Sequence, residues 1–324
     1  MFFRYDSSAV RLTGRWAPLG EYTATTAPGS SIEVAFAGAM ATLQFDLTCM
    51  AEPRPHLWIS VDAGARVEVP VDRYLRVYGV GEGLHVVRII YKGSVERQHR
   101  WHHPLVGRIA FLGFDAEREG LLPLDARRTI EFVGDSITEG VLIDDFCQPE
   151  KDGQNNRPYQ DDVTATYAWL TAEALNLNPL FMGYGAVGVT KGGQGGVPKA
   201  SEAYPYCFER APVAYPSPNY ILINHGANDR GRSESEYLQG YRELLDVILA
   251  RNPFSKIILL SAFSGVYVQA LENFARVYEK EKGHPLFFVD SSGWIPPEPL
   301  HPRREGHRII AEHLIPILRK QFAL

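Results

Sequence analysis

The sequence predicts a two-domain chain: an all-β sandwich, jelly-roll-like, over residues 1–125, then a three-layer α/β/α domain with a five-stranded parallel sheet over residues 126–324. Three observations predict this division. Short runs rich in β-branched and aromatic residues fill the first third, and several alternate polar and apolar with period two. Beyond residue 126, nearly all-apolar runs alternate with helical patterns, which is typical of a parallel sheet covered on both faces. A length of 324 residues also fits two domains of roughly 150 residues each.

Glycine and proline separate the predicted strands of the first domain, as in sandwiches and jelly rolls. These strands cover residues 31–36, 41–47, 56–61, 84–91 and 108–112. The junction at 125–128 reads Asp-Ala-Arg-Arg and lacks the Gly/Ser or Pro length of a flexible linker. We therefore expect the first domain to contribute to the substrate cleft or to its rigidity.

In the second domain five strands alternate with four helices. The strands cover 129–133, 180–182, 220–224, 257–261 and 286–290, and the helices cover 165–175, 233–250, 266–282 and 306–322. Ser233 and Glu236 have the spacing of a capping box, and Pro316 interrupts the last helix.

Charge, apolar run length and cysteine count limit the function classes. The formal net charge of -5 offers no excess of Lys and Arg to bind a nucleic acid. There is neither a basic leader followed by a long apolar stretch nor a run of 18 apolar residues, so we expect no signal peptide and no membrane span. The three cysteines, Cys49, Cys147 and Cys207, form no close pair. A reducing, cytoplasmic location is the expectation.

Ligands bind beyond the carboxyl ends of the strands in an open parallel sheet. Ser136 follows the first strand of the second domain, Asn228 follows the third, and His301 lies beyond the fifth. A hydroxyl, an amide and an imidazole at one sheet edge are the groups that nucleophilic acyl transfer needs. Taken singly, each has a simpler explanation: a serine at a helix start, a turn asparagine and an exposed loop histidine.

Four blocks in order resemble the SGNH (GDSL-type) hydrolase superfamily. They are GDSI at 134–137, a Gly-rich stretch at 183–188, GAND at 226–229 and EPLHP at 298–302. The resemblance covers roughly residues 127–324. With the β-rich region ahead of it, the whole chain is similar to carbohydrate esterase family 2 and related two-domain acetyl-xylan esterases.

The resemblance implies a role for each matching residue. Ser136 would be the nucleophile, with its backbone N–H in the oxyanion hole, and His301 would be the general base. Gly188 would supply a second N–H to the oxyanion hole and Asn228 its side-chain amide. Glu298 stands three residues before the histidine, where the family usually has aspartate. It is a candidate third catalytic residue, and the alternative is a Ser–His dyad oriented by a backbone carbonyl.

The second block departs from the family pattern because Gly183 stands where asparagine is usual. Trp294 and Tyr184 lie near the expected site, where they could stack on a sugar or simply pack in the core. A cluster of histidines around Trp101 has no zinc spacing, and a solvated loop explains it better. The histidines are His99, His102 and His103.

The expected function is a serine esterase that removes small O-acyl groups, acetyl above all, from carbohydrate, with xylo- or other hemicellulose oligosaccharides as substrates. This mechanism needs neither a metal nor an organic cofactor. The partner is a small acylated saccharide, with no nucleic acid or membrane, and the oligomeric state stays open. Two alternatives remain: a lipid or thioester hydrolase of the same superfamily, and a non-enzymatic carbohydrate-binding protein.

Overall fold

The computed structural model describes residues 1–144 and 158–324. Ten antiparallel strands fill the N-terminal part and join into one hydrogen-bonded network. They are β1 (Phe2–Arg4), β2 (Val10–Thr13), β3 (Ala17–Leu19), β4 (Tyr22–Thr25), β5 (Ser31–Phe45), β6 (His56–Val61), β7 (Val67–Pro70), β8 (Tyr74–Tyr78), β9 (Leu84–Gly93) and β10 (Ile109–Glu119). The expectation of a separate, antiparallel β-rich region is confirmed.

Strand β5 organises this network because its two halves pair with different neighbours. Its first half pairs with β2 and β9, and its second half pairs with β8 and β10. The sequence predicted two strands here, at 31–36 and 41–47, whereas the structure has one strand of 15 residues. Gly38 lies between the two halves with φ of +105°, a conformation that favours glycine. The glycine therefore marks a change of partners and not the end of a strand.

The second part contains a five-stranded parallel sheet in the order β12-β11-β15-β16-β17. Its strands are β11 (Thr129–Gly134), β12 (Asn178–Gly183), β15 (Tyr220–Asn224), β16 (Lys256–Leu260) and β17 (Leu286–Val289), and a small hairpin consists of β13 (Tyr206–Phe208) and β14 (Ala211–Pro212). The helices are α1 (Ser136–Glu139), α2 (Tyr167–Ala174), α3 (Ala200–Ala203), α4 (Glu234–Arg251), α5 (Val268–Lys282) and α6 (Arg304–Phe322). All five predicted strands are present, as are the four predicted helices, here α2, α4, α5 and α6.

Alternate side chains of the sheet face two separate cores. Phe132, Leu222 and Ile258 pack with residues of α2 and α6 on one face. Val133 and Leu259 pack with residues of α3, α4 and α5 on the other. Burial on both faces explains why the strands are nearly all apolar, and it confirms the three-layer expectation. The predicted capping box at the start of α4 is also formed.

The strand order places a topological switch point beside β11. The chain begins at β11, moves to β12 on one side, and then continues through β15 to β17 on the other. Successive connections therefore diverge at the carboxyl ends of β11 and β15, which leaves a crevice there. Ser136 follows β11 and Asn228 follows β15, so both border this crevice.

The antiparallel part packs directly on the parallel part. Trp101 and Leu105, from the loop after β9, lie in the same apolar core as Val187 and Val197. A Cβ on Gly93 would fall 2.6 Å from the Asp161 side chain, so glycine allows the two parts to approach closely. These contacts agree with the expectation that the N-terminal region is not a tethered module.

Candidate active site

Ser136 is the first residue of α1, directly after β11. Asp135 caps this helix, because its carboxylate accepts a hydrogen bond of 2.9 Å from the Ile137 N–H. A residue in the first helical turn has no intrahelical acceptor for its backbone N–H. The Ser136 N–H therefore has no acceptor within its own helix and stays a candidate donor to an oxyanion.

His301 lies in the loop before α6, and its Nε2 is 2.9 Å from the Ser136 Oγ. The two residues are 165 positions apart in the chain, and only the sheet edge brings them together. Burial, and then the positive charge of Arg303, lowers the pKa of His301 to about 4. A neutral imidazole accepts at Nε2 while the serine hydroxyl donates, which is the arrangement of a general base with its nucleophile.

The lowered pKa of His301 predicts an unusual acidic limit of activity. The imidazole must be unprotonated to accept the serine proton, and with a pKa of about 4 it stays so well below pH 6.5. We expect kcat/KM for an acetyl ester to keep its plateau down to about pH 5 and to fall near pH 4. A pH–rate profile with a stability check at each pH measures this. An acidic limb centred at pH 6.5 would contradict the lowered pKa.

Asn228 lies in a short 3₁₀ turn after β15 and reaches back to the serine loop. Its Nδ2 donates to the Asp135 Oδ2 and to the Val187 carbonyl, at 3.1 Å each. Both amide hydrogens therefore have protein acceptors, and the amide must give up one of them to bind a substrate oxyanion. The structure brings Asn228 to the site and ties its loop to both neighbouring loops.

Asp135 supports this arrangement electrostatically. Burial raises the pKa of Asp135 to about 7, and the negative charges of Asp229 and Glu96 act in the same direction, against the hydrogen bond from Ile137. With a pKa of about 7, this carboxyl group is about half protonated near neutral pH, so on average it places less than a full negative charge beside the nucleophile.

The Gly188 N–H is engaged elsewhere. It donates to the Lys191 carbonyl at 3.0 Å, so the structure does not present it as a free donor to an oxyanion. A Cβ at this position would fall 2.5 Å from the Asp229 Oδ1. That carboxylate accepts hydrogen bonds from the next two residues, Val189 and Thr190. Close approach of Asp229 thus accounts for the glycine without an oxyanion role.

The structure does not bring Glu298 to His301. The Glu298 side chain is exposed, and in residues 1–144 and 158–324 no hydrogen bond or ion pair joins it to the histidine. Although Glu298 and His301 are only three positions apart in the sequence, they do not form the carboxylate–imidazole contact that a catalytic triad needs.

This exposure of Glu298 sets the expected result of the Glu298→Gln substitution. We expect kcat to fall by less than about tenfold, because the exposed Glu298 side chain makes no hydrogen bond or ion pair with His301 in the described structure. Steady-state kinetics on an acetyl ester measures the change, and the acidic limb of the pH profile should stay where it is in the wild type. A loss on the order of 10²–10⁴ would instead establish a triad.

The two aromatic residues expected near the substrate pack against other parts of the protein. Tyr184 is only 1% exposed, and its hydroxyl lies 3.3 Å from the Cys207 carbonyl, so its ring offers no face to a sugar. For Tyr184 the core-packing alternative holds. Trp294 is half-buried, and its ring stacks on His313 at 5.1 Å between centroids.

The histidine cluster of the N-terminal part forms surface contacts. His99, His102 and His103 are exposed while Trp101 is buried. The His102 Nδ1 lies 3.1 Å from the Glu209 carboxylate. Within the described ranges no three His, Cys, Asp or Glu side chains are grouped as metal ligands would be. Cys147 lies outside the described residues, Cys49 is exposed and Cys207 is buried.

Sequence reasoning missed an ion pair beneath the site. Arg100, from the N-terminal part, pairs with Glu139 at the end of α1, and both side chains are almost fully buried. Glu139 also accepts a hydrogen bond of 2.7 Å from the Gly185 N–H. The pair therefore links the serine helix to the Gly-rich loop. Glu139 lies just beyond the GDSI block, but nothing in the sequence marks Arg100 as its partner.

No protein-family model and no curated protein matches this chain. Solved structures do match it over nearly its full length. A family two carbohydrate esterase from Clostridium thermocellum, solved in complex with cellohexaose, has a TM-score of 0.78 and 20% identity over 97% of this chain and 99% of that chain. The acetyl xylan esterase Est2A from Butyrivibrio proteoclasticus has a TM-score of 0.79 and 18% identity over 100% and 98%.

An enzyme of different activity matches as well. The salicylyl-acyltransferase SsfX3 from a tetracycline biosynthetic pathway has a TM-score of 0.66 and 15% identity over 100% of this chain and 99% of that chain. No helix in the described ranges has the length and apolar character needed to cross a bilayer. The likeness to the esterases extends over both parts of the molecule, and the chain therefore has the two-part fold of the family two carbohydrate esterases.

Proposed function

We propose that this chain is a serine carboxylic ester hydrolase that removes small O-acyl groups, above all acetyl, from xylo- or other hemicellulose oligosaccharides. The hydrogen bond between the Ser136 Oγ and the His301 Nε2, at the crevice of the parallel sheet, is the observation that carries the proposal. The fold supports the carbohydrate substrate, because its neighbours include an esterase solved with cellohexaose and an acetyl xylan esterase. A cytoplasmic location, inferred from cysteine content, stays a prediction.

The reaction follows from the geometry of the pair. His301 takes the proton of Ser136 as the Oγ attacks the ester carbonyl, and the Ser136 N–H faces the resulting oxyanion. The Asn228 amide strengthens this stabilisation if it exchanges its bond to Asp135 or Val187 for one to the oxyanion. His301 then protonates the departing sugar oxygen. Water, deprotonated by the same imidazole, then attacks the acetyl-enzyme, and the imidazolium returns the proton to the Ser136 Oγ as acetate leaves.

A series of 4-nitrophenyl esters of increasing chain length tests the acyl part of the proposal. The loop at 183–188 contains three glycines and one alanine, and such small side chains favour a shallow acyl site, so we expect the acetyl ester to be hydrolysed faster than the octanoyl ester. Faster octanoyl cleavage would favour the lipid hydrolase alternative.

A fluorophosphonate probe and an acetylated xylo-oligosaccharide test the remaining parts. We expect the probe to label Ser136 and acetate to be released from the oligosaccharide. Saccharide binding without labelling or acetate release would favour the non-enzymatic alternative.

A further inference from the structure

Glu96 belongs to the N-terminal part but lies against the candidate active site. It stands in the loop that leaves β9 and crosses to the loops that follow β12. The crossing is fixed by backbone hydrogen bonds: the Arg100 N–H donates to the Gly195 carbonyl at 2.9 Å, and the Gln194 N–H donates to the Gly185 carbonyl at 2.9 Å. The position of Glu96 is therefore set by the same framework that shapes the Gly-rich loop.

The Glu96 carboxyl group contacts Gly185 closely. A Cβ on Gly185 would fall 1.8 Å from the Glu96 Oε1, so only glycine at 185 allows this approach. Gly185 stands two residues before Val187, whose carbonyl accepts the Asn228 amide. The carboxyl group thus borders the loop that holds the candidate oxyanion donor.

Glu96 has no protein partner for its carboxyl group although it is half-buried. In the part of the chain that the structure describes, no hydrogen bond or ion pair reaches its side-chain oxygens. The nearby Arg100 guanidinium pairs with Glu139 and contacts only the backbone carbonyl of Glu96, at 3.4 Å. A half-buried carboxyl without a partner costs free energy that a ligand hydroxyl can offset by hydrogen bonding.

The Glu96 carboxyl group also interacts electrostatically with charged residues of the site. Burial, and then the negative charge of Glu139, raises the pKa of Glu96 to about 7, against the positive charges of Arg100 and Arg97. The charge of Glu96 in turn contributes to the raised pKa of Asp135, the residue before the nucleophile. Near neutral pH this carboxyl group can both donate and accept hydrogen bonds, which suits a sugar hydroxyl.

We propose that Glu96 is a specificity-determining residue, whose carboxyl group hydrogen-bonds a hydroxyl of the sugar that carries the scissile acyl group. The N-terminal part thereby supplies one wall of the substrate site. This inference rests on the proposed esterase function and adds a substrate contact to it.

The test measures the hydrolysis of two esters by three proteins: the wild type, Glu96→Ala and Glu96→Gln. One is an acetylated xylo-oligosaccharide and the other is 4-nitrophenyl acetate, whose leaving group has no sugar hydroxyls. We expect Glu96→Ala to lower the ratio of kcat/KM for the oligosaccharide to that for 4-nitrophenyl acetate on the order of 10- to 100-fold. Glu96→Gln should lower the ratio less, because its amide still donates and accepts hydrogen bonds. Glu82→Ala, at an exposed turn of the N-terminal part, should leave the ratio unchanged.

Each other outcome overturns a defined statement. If kcat/KM falls equally for both esters in Glu96→Ala, Glu96 only supports Gly185 structurally and its proposed role is overturned. If kcat/KM falls for neither ester, that role is overturned as well. Wild type that hydrolyses 4-nitrophenyl acetate but no acetylated saccharide overturns both the proposed substrate class and the role of Glu96. Wild type that hydrolyses neither ester and resists the fluorophosphonate overturns the esterase itself.

Discussion

Ser136→Ala is expected to lower kcat for acetyl esters by about 10⁴-fold or more, because no other described hydroxyl is hydrogen-bonded to the His301 Nε2. The fold should persist. The substitution removes one oxygen, and the helix cap is supplied by Asp135, which remains. Steady-state kinetics with a thermal unfolding curve measures both effects.

The matched control for this serine is Ser235→Ala, at an exposed position in α4. The control should keep wild-type turnover and fluorophosphonate labelling, whereas Ser136→Ala should lose both. If folded Ser136→Ala kept wild-type turnover, the nucleophile would lie elsewhere.

Arg15→Met is expected to lower the free energy of unfolding by about 3–5 kcal/mol. Arg15 and Glu131 come from the two parts of the molecule, and both side chains are fully buried in an ion pair of 2.9 Å. Arg15 also donates to the carbonyls of Tyr204 and Tyr206, at 2.9 and 2.8 Å. Removing the guanidinium leaves the Glu131 carboxylate buried without its cation. The hydroxyls of Tyr204 and Tyr215 also donate to this carboxylate, but they cannot replace the lost charge.

Urea unfolding at constant pH measures this loss of stability. Arg4→Met is the matched control, since Arg4 pairs with Glu21 at 3.0 Å in an exposed, solvent-screened position and its loss should leave the free energy of unfolding nearly unchanged. A second variant, Arg15→Met with Glu131→Gln, removes the uncompensated charge and should recover part of the loss. A change below about 1 kcal/mol in Arg15→Met would show that the buried pair does not hold the two parts together.

Local patterns carried most of the fold prediction. Because the strands of the parallel sheet are buried on both faces, each appears in the sequence as a short, almost wholly apolar run such as 220–224. The shortest strands of the N-terminal part, such as β3 with only three residues, are too brief to show a period. Gly38 resembled a strand end because a glycine inside a strand and a glycine in a turn look alike in sequence.

The candidate site could be predicted only where a residue and its role share one local motif. Ser136, Asn228 and His301 each follow a strand or precede a helix at a recognisable position, and the sheet edge then gathers them. Glu298 shows the limit of that reasoning, because spacing along a loop says nothing of the direction in which a side chain points. Arg100 and Glu96 show the opposite limit. Arg100 pairs with Glu139 and Glu96 lies against Gly185, in both cases across the boundary between the two parts, and no sequence period connects these residues.

The buried pair between Arg100 and Glu139 has a consequence for protein engineering. A chimera that exchanges the N-terminal 125 residues for those of another protein would separate the arginine from its carboxylate. The glutamate would then stand uncompensated at the end of the serine helix, where it also holds the Gly-rich loop. Successful recombination of this scaffold must therefore transfer both halves of the pair together, or replace both by apolar side chains of similar volume.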